Sequence, residues 1–191
     1  HHRFGNSDLI RHLERLGAET DLAGVSEWLY YTNYLRMGEA SRERQLRPWL
    51  ANFLQQHFQR KIHRELSRAF EPLLGPFNEP TPQELLQLAE PYIQGSLEGE
   101  AILSVGKMIE YCHSGYDGVV NVMPFSCMPS TIVGGVMKKI TAAMGQMPAL
   151  SISYDGQQDP TLETRLEAFL YQARAYQARK DKAPQHPNHR H

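Results

Sequence analysis

Cysteine is scarce in this sequence, and several features that define common protein classes are missing. The 191 residues include two cysteines, which argues against a disulfide-stabilised scaffold and favours a reducing compartment. The apolar runs are far shorter than the roughly 18 residues of a membrane span, and no signal peptide opens the chain. We therefore expect a cytoplasmic protein without a membrane partner.

A charge excess of either sign is also absent. Lys and Arg number 20 and Asp and Glu number 21, giving a net charge of −1, and no basic stripe is interleaved with aromatic residues, so nucleic acid is not an expected partner. Most of the nine histidines lie in the end segments, and the others lack metal-ligand spacing to an acid or a cysteine. No Walker A sequence occurs, so no nucleotide-hydrolysing site of that kind is expected.

The most informative stretch begins at Asp117. The apolar run from Val119 to Phe125 is typical of a strand that is buried on both faces of a parallel sheet. Pro124 and Pro129 do not fit inside a central strand, so we expect the strand to end near Met123. Cys127 would then follow the carboxyl end of the strand, where open α/β sheets bind ligands.

A helix is expected directly after Cys127, with Ser130 or Thr131 as its N-cap and Gly145 just beyond its end. Its apolar face would comprise Ile132, Val133, Val136, Met137, Ile140 and Met144. The N-terminus of such a helix favours an anion, a thiolate or the sulfides of a cluster. Cys127 is therefore the candidate metal ligand, and Ser130 and Thr131 are candidate cofactor-binding residues. The alternative is that Cys127 is a small buried loop residue. Cys112 is expected to be a packing cysteine at a helix end, before Gly115 as C-cap.

The rest of the chain alternates predicted helices and strands. Further strands are expected at Ala18–Val25 and Ala149–Tyr154, and the aromatic segment Ser26–Arg36 would follow the first of them, as a pocket, core or interface. A helix is expected before Ala18, ending at Gly17, with no strand ahead of it. Because a crossover helix packs back on a preceding parallel strand, we expect the natural chain to continue upstream of His1.

Residues 41–95 are predicted to form a helical insertion that serves as a lid or homodimer surface. A long amphipathic helix would begin near Pro48 and end before Pro72, and Thr81 and Glu84 form a capping box for the next helix. Residues 1–177 are expected to be one α/β domain with a mostly parallel sheet of three to four strands and helices on both faces. Residues 178–191 have little to bury and are expected to be disordered.

Five segments together resemble the carboxyl-terminal region of CoA-substrate-specific enzyme activase-related proteins, which are similar to the cluster-bearing components of 2-hydroxyacyl-CoA dehydratases. These segments are Ser26–Asn33, Gly99–Gly106, Asp117–Pro129, Tyr154–Gln157 and Thr164–Ala168. The resemblance covers roughly Arg3 to Gln177, and its most specific part is Pro124-Phe-Ser-Cys-Met-Pro129.

This resemblance implies a Rossmann-like domain of a larger protein that holds a 4Fe-4S cluster between domains and transfers single electrons at low potential. Cys127 matches a cluster-ligand position, and the implied partners are upstream domains, including an ATPase activase domain, together with an acyl-CoA. A cluster normally takes three or four thiolates, so this chain alone is expected to carry none.

Other functions remain open from the sequence. The same strand ends could bind an acyl-CoA or a nucleotide without redox chemistry, or the domain could serve only to dock against another. Cys127 has no evident His partner, and Ser126 and Ser130 lack a nucleophile elbow, which disfavours nucleophilic hydrolysis. A carboxylate pair of Glu100 and Asp155 is a weaker alternative, since acids at such positions are usually caps.

Overall fold

The computed structural model describes residues 7–74, 80–94, 99–157 and 159–182. Its elements, in chain order, are α1 (Leu9–Arg15), α2 (Val25–Arg42), α3 (Leu46–Leu74), α4 (Pro82–Ala89), α5 (Glu100–His113), β1 (Val119–Pro124), α6 (Met128–Ala143), β2 (Ala149–Tyr154) and α7 (Leu162–Lys182). Internal contacts divide the chain into two compact units. One contains residues 1–22 and 88–191, and the other contains residues 23–87.

The expected three- to four-stranded Rossmann-like sheet is wrong. The described residues are mostly helical and contain a sheet of two parallel strands, β1 and β2. β1 is an almost continuous apolar run but is not buried on both faces as expected, since Val122 is 44 % exposed. β2 alternates apolar residues with Ser151 and Ser153. Both strands are found where the sequence predicts them, and α6 connects them as a crossover helix.

The expected strand at Ala18–Val25 does not form. The Ala18 N–H donates to the carbonyl of Leu13 at 3.0 Å, which closes the end of α1. Asp21 accepts a hydrogen bond from the Leu22 N–H at 2.7 Å and another from the Tyr116 hydroxyl. The N–H groups of Ala18 and Leu22 are therefore not available to pair with another strand. The segment has no regular structure until α2 begins at Val25.

In the first unit, helices pack against both faces of the sheet. Residues of α1 and α7 form a core with Ile152, and Val120, Leu150 and Tyr154 pack against that core. The other face meets α6, where the Ser151 hydroxyl lies 3.8 Å from the Met137 sulfur. Alternate residues of a strand point to opposite faces, so even-numbered positions of β2 serve one layer and Ser151 serves the other.

The helix α6 begins earlier than predicted. Cys127, not Ser130 or Thr131, is its N-cap, and Pro129 lies in the first turn, where a missing N–H is tolerated. The predicted ending is confirmed, because Gly145 follows the helix with a φ of 66°. The left-handed backbone there suits glycine.

The second unit contains α2 and α3. Their contact includes a hydrogen bond from the Asn33 amide to the Gln59 side-chain oxygen at 2.6 Å. The capping box of α4 is confirmed: the Thr81 N–H donates to Glu84 at 2.6 Å, and the Glu84 N–H donates to the Thr81 hydroxyl at 3.3 Å. The helix α3 continues past the predicted end at Pro72, to Leu74.

At the carboxyl end of the chain, α7 extends to Lys182, and so enters the segment that was expected to be disordered. The rest of that segment lies outside the described residues. Within the described ranges, no helix combines the length and the hydropathy that crossing a bilayer would require.

Candidate functional site at the carboxyl edge of the sheet

Cys127 is held by a tight turn at the end of β1. The Phe125 N–H donates to the Tyr154 carbonyl at 2.8 Å, which extends the strand pairing by one bond. The chain then reverses at Ser126, whose φ is 61°, and the Cys127 N–H donates back to the Pro124 carbonyl at 3.2 Å. A non-glycine residue in this left-handed region costs free energy. The turn therefore fixes the direction of the Cys127 side chain relative to the strand.

The same cysteine opens α6. Its φ and ψ are −69° and 109°, which are extended values typical of an N-cap, and its side chain makes no capping hydrogen bond. Pro129 has no N–H, so the helix start offers the N–H groups of Met128 and Ser130, which have no intrahelical acceptor. These groups and the helix dipole favour negative charge beside the half-buried thiol.

The two candidate cofactor-binding residues differ in their surroundings. Thr131 lies one turn into α6, and both its N–H, at 3.0 Å, and its hydroxyl, at 2.8 Å, donate to the Cys127 carbonyl. Its hydroxyl thus fixes the backbone of the cysteine. Ser130 is half-buried in the first turn of the helix, and its N–H is the part best placed to meet an anion.

Large apolar side chains surround this turn on the solvent side. Phe125 and Met128 are each 70 % exposed, and Val122 of β1 is 44 % exposed. An exposed phenyl ring and thioether beside a thiol and unpaired N–H groups form a surface suited to contact with another molecule. None of these three side chains was singled out as functional by the sequence analysis, although Phe125 and Met128 flank Ser126 and Cys127 in the sequence.

The carboxyl end of β2 lies beside this turn and carries a polar cluster. Asp159 accepts hydrogen bonds from the Thr161 N–H at 2.8 Å and from Arg165 at 3.1 Å, and Arg165 also donates to the Ser151 carbonyl at 2.6 Å. The hydrogen bond from the Thr161 hydroxyl is the main reason why the pKa of Asp159 is lowered. The sequence analysis did not foresee the role of Arg165.

Tyr154 ends β2, and its hydroxyl oxygen is buried without a hydrogen-bond partner among the described residues. Burial is the main cause that raises the pKa of this tyrosine, and the negative charge of Asp159 adds to it. The phenol therefore stays neutral and packs against the core formed by α1 and α7.

The two residues of the suggested carboxylate pair lie on different elements. The Asp155 carboxylate accepts the Gln157 N–H at 2.9 Å and so closes the turn after β2. Glu100 lies in the first turn of α5, where the helix dipole favours an acid. The N-cap of α5 is Gly99.

Cys112 lies far from Cys127. Its sulfur is 3.9 Å from the Met144 carbonyl, at the carboxyl end of α6, whereas Cys127 is the N-cap of that helix. The 16 residues of α6 span about 24 Å, so the two thiols lie at opposite ends of that helix. Burial is the main cause that raises the pKa of Cys112, which favours its neutral thiol form.

An iron–sulfur cluster fits this edge only in part. Among the described residues, no three His, Cys, Asp or Glu side chains are grouped closely enough to hold a metal ion. Cys127 has the exposure and helix-start position that suit one thiolate ligand. The described part of the chain can thus contribute a ligand but does not complete a cluster site.

Comparisons with models of protein families, with curated proteins and with solved structures gave no match to this chain. The resemblance to activase-related proteins therefore stays a prediction.

Proposed function

We propose that this chain contributes the Cys127 thiolate to an iron–sulfur cluster whose remaining ligands come from other parts of a larger, activase-related protein. The observation that carries the proposal is the position of Cys127, between a strained turn and the start of α6 at the carboxyl edge of two parallel strands. A bound cluster would supply low-potential, single-electron transfer for a reaction such as 2-hydroxyacyl-CoA dehydration.

The neighbouring residues support a ligand role in three ways. The bond from the Cys127 N–H to Pro124 and those from Thr131 to the Cys127 carbonyl hold the backbone on both sides of the side chain. The N–H groups of Met128 and Ser130 lower the free energy of nearby negative charge. Phe125 and Met128 can exclude water once another domain covers this edge.

The test uses the natural polypeptide that contains this sequence, purified without oxygen, and measures iron and acid-labile sulfide per protein. We expect Cys127→Ser to lose cluster iron and visible absorbance. Cys112→Ser is the matched control, because it removes a half-buried thiol at the other end of α6, and it should retain both. Equal iron and sulfide in the wild type and in Cys127→Ser would overturn the proposal.

A second candidate is the binding of an acyl-CoA or a nucleotide without redox chemistry. Its support is the pair of N–H groups at the start of α6, which could meet a phosphate, beside the exposed Phe125 ring, which could stack on an adenine. Calorimetric titration with CoA distinguishes the two. Binding that Phe125→Ala abolishes and Cys127→Ser leaves unchanged would favour this candidate.

A further inference from the structure

The long helix α3 presents its apolar side to solvent. The side chains at Leu46, Leu50, Phe53, Leu54, Phe58 and Ile62 are all exposed, from 44 % for Phe53 to 80 % for Leu46. The described residues on the side of α3 that meets α2 include polar ones next to the half-buried Trp49. Gln56 is buried, and Gln59 accepts hydrogen bonds from Asn33 and from the Tyr30 hydroxyl. Burying polar groups while large apolar groups stay exposed is the reverse of a normal surface helix.

The exposed side changes character along the helix. Successive residues of a helix are rotated by about 100°. One face, an arc of about 100°, therefore carries Leu46, Leu50, Phe53 and Leu54. Continued toward the carboxyl end, the same face carries four exposed cations in place of apolar groups: Arg60, Lys61, Arg64 and Arg68. Among them, Lys61 pairs with Glu65 at 4.0 Å, with both side chains mostly exposed.

We propose that this face of α3, which we call the α3 docking face (residues 46–68), binds a helix of a partner protein that is apolar in one half and acidic in the other. The apolar half would cover Leu46, Leu50 and Leu54, and the acidic half would lie along Arg60, Lys61 and Arg64. Charge complementarity selects this occupant. The inference is independent of the role of Cys127.

A second copy of this chain does not suit the α3 docking face. If two copies of α3 paired in parallel, the cations of one would face the cations of the other. In an antiparallel pair, the cations would lie over the leucines. Both arrangements bring like charges together or remove cations from water without a counter-charge.

A lipid surface suits it less well than an acidic helix. A helix that lies in the plane of a bilayer needs one continuous apolar face along its length. On α3 the exposed row Leu46, Leu50, Leu54, Phe58 and Ile62 turns by about 160° around the helix, while Arg60, Lys61 and Arg64 lie on the side of Leu46 and Leu50. A helix lying flat on its leucines would therefore place arginines at acyl-chain depth. An acidic helix matches both halves at once.

The experiment measures binding of two fluorescein-labelled helical peptides to the full chain by anisotropy. Both peptides carry leucines on one face of their first half, and on the same face of the second half one carries glutamates and the other lysines. We expect the glutamate peptide to bind more tightly than the lysine peptide, and added salt to weaken it. The charge-reversed variant Arg60→Glu/Lys61→Glu/Arg64→Glu should lose about tenfold in affinity for the glutamate peptide and prefer the lysine peptide.

Two further variants serve as controls. Leu50→Ser/Leu54→Ser should lose both peptides, and because these side chains are exposed the variant should keep its fold, as circular dichroism will show. Tyr171→Ser, on exposed α7 surface, should bind normally. Equal affinity of the wild type for the two peptides overturns the proposal. So does dimerisation, or binding to phosphatidylcholine–phosphatidylglycerol vesicles, that depends on Leu50 and Leu54.

Discussion

Gly118 stands directly before β1, where any side chain would meet the ring of Phe169. An added Cβ would lie 2.7 Å from the Phe169 Cζ atom, and Phe169 belongs to the buried core between α7 and the sheet. Glycine is needed here for space and not for a left-handed backbone. The sequence alone shows this residue only as the start of the Gly-Val-Val run, because the contact joins positions distant in the chain.

We expect Gly118→Ala to lower the free energy of unfolding by about 1–3 kcal/mol, the usual cost of overpacking a core. Urea unfolding monitored by circular dichroism measures it. Gly135→Ala is the matched control, because an added Cβ there meets nothing within 4 Å and the helix should gain up to about 1 kcal/mol. Equal stability of Gly118→Ala and the wild type would show that the ring of Phe169 moves aside without cost.

Tyr116 gives a prediction about pH. Burial, followed by the hydrogen bond to Asp21 and the charge of that carboxylate, raises the pKa of Tyr116 to about 12. Because the folded state holds the proton more tightly than the unfolded state, the contribution to stability is complete below about pH 10 and is lost as the pH rises through about 12.

The measurement is the ultraviolet titration of tyrosinate, taken as the difference between the wild type and Tyr116→Phe. We expect a single transition near pH 12, and Asp21→Asn should move it downward because the negative charge is removed. A transition at the ordinary pKa of a tyrosine would mean that the Tyr116–Asp21 contact does not persist in solution.

At the scale of elements, the capping box predicted for α4 is present in the structure. Thr81 and Glu84 exchange hydrogen bonds at 2.6 and 3.3 Å. We expect Thr81→Ala to destabilise the protein by about 1 kcal/mol. Thr164→Ala, in the exposed part of α7, serves as a control that should be neutral or slightly stabilising. If the two variants unfold at the same urea concentration, the capping box contributes nothing measurable.

Local signals explain which elements could be predicted. The strands at Val119–Pro124 and Ala149–Tyr154, the cap at Thr81 and the helix end at Gly145 depend on residues next to one another in the chain. A strand at Ala18–Val25 would instead have needed a distant strand to pair with. Its apolar content was too low to decide between a strand and the side-chain bonds that Asp21 makes.

The candidate site was also predictable from the sequence only in part. The position of Cys127 after β1 follows from Pro124 and Pro129, which limit the strand and the helix on each side. The left-handed turn at Ser126 and the hydrogen bond from Arg165 to the Ser151 carbonyl were not foreseeable. A serine carries no sign of positive φ, and an exposed arginine on a helix looks like any solvated residue.

At the scale of the whole first unit, α7 connects the other elements through long polar side chains. Arg174 donates to the carbonyl of Leu16 after α1, Tyr176 donates to that of Met144 after α6 at 3.2 Å, and Arg165 donates to that of Ser151 in β2 at 2.6 Å. Each of these acceptors is a backbone carbonyl on a different element. The apolar face of α7 thus contributes to the core, while its polar side chains bind the ends of α1 and α6 and the middle of β2.

Lys180 is the last of these connections, and it is the one that sequence reasoning assigned to a disordered tail. Its ammonium donates to the Gly115 carbonyl and to the Asp117 carboxylate just before β1. Because both side chains of the ion pair are about one-third exposed, we expect Lys180→Ala to cost only about 1 kcal/mol. Lys182→Ala, in the same exposed turn, should be neutral. In a double-mutant cycle with Asp117→Ala, the double mutant should lose less stability than the sum of the two single losses, because each variant removes the same ion pair. Strict additivity would mean that the Lys180–Asp117 ion pair contributes nothing measurable to stability.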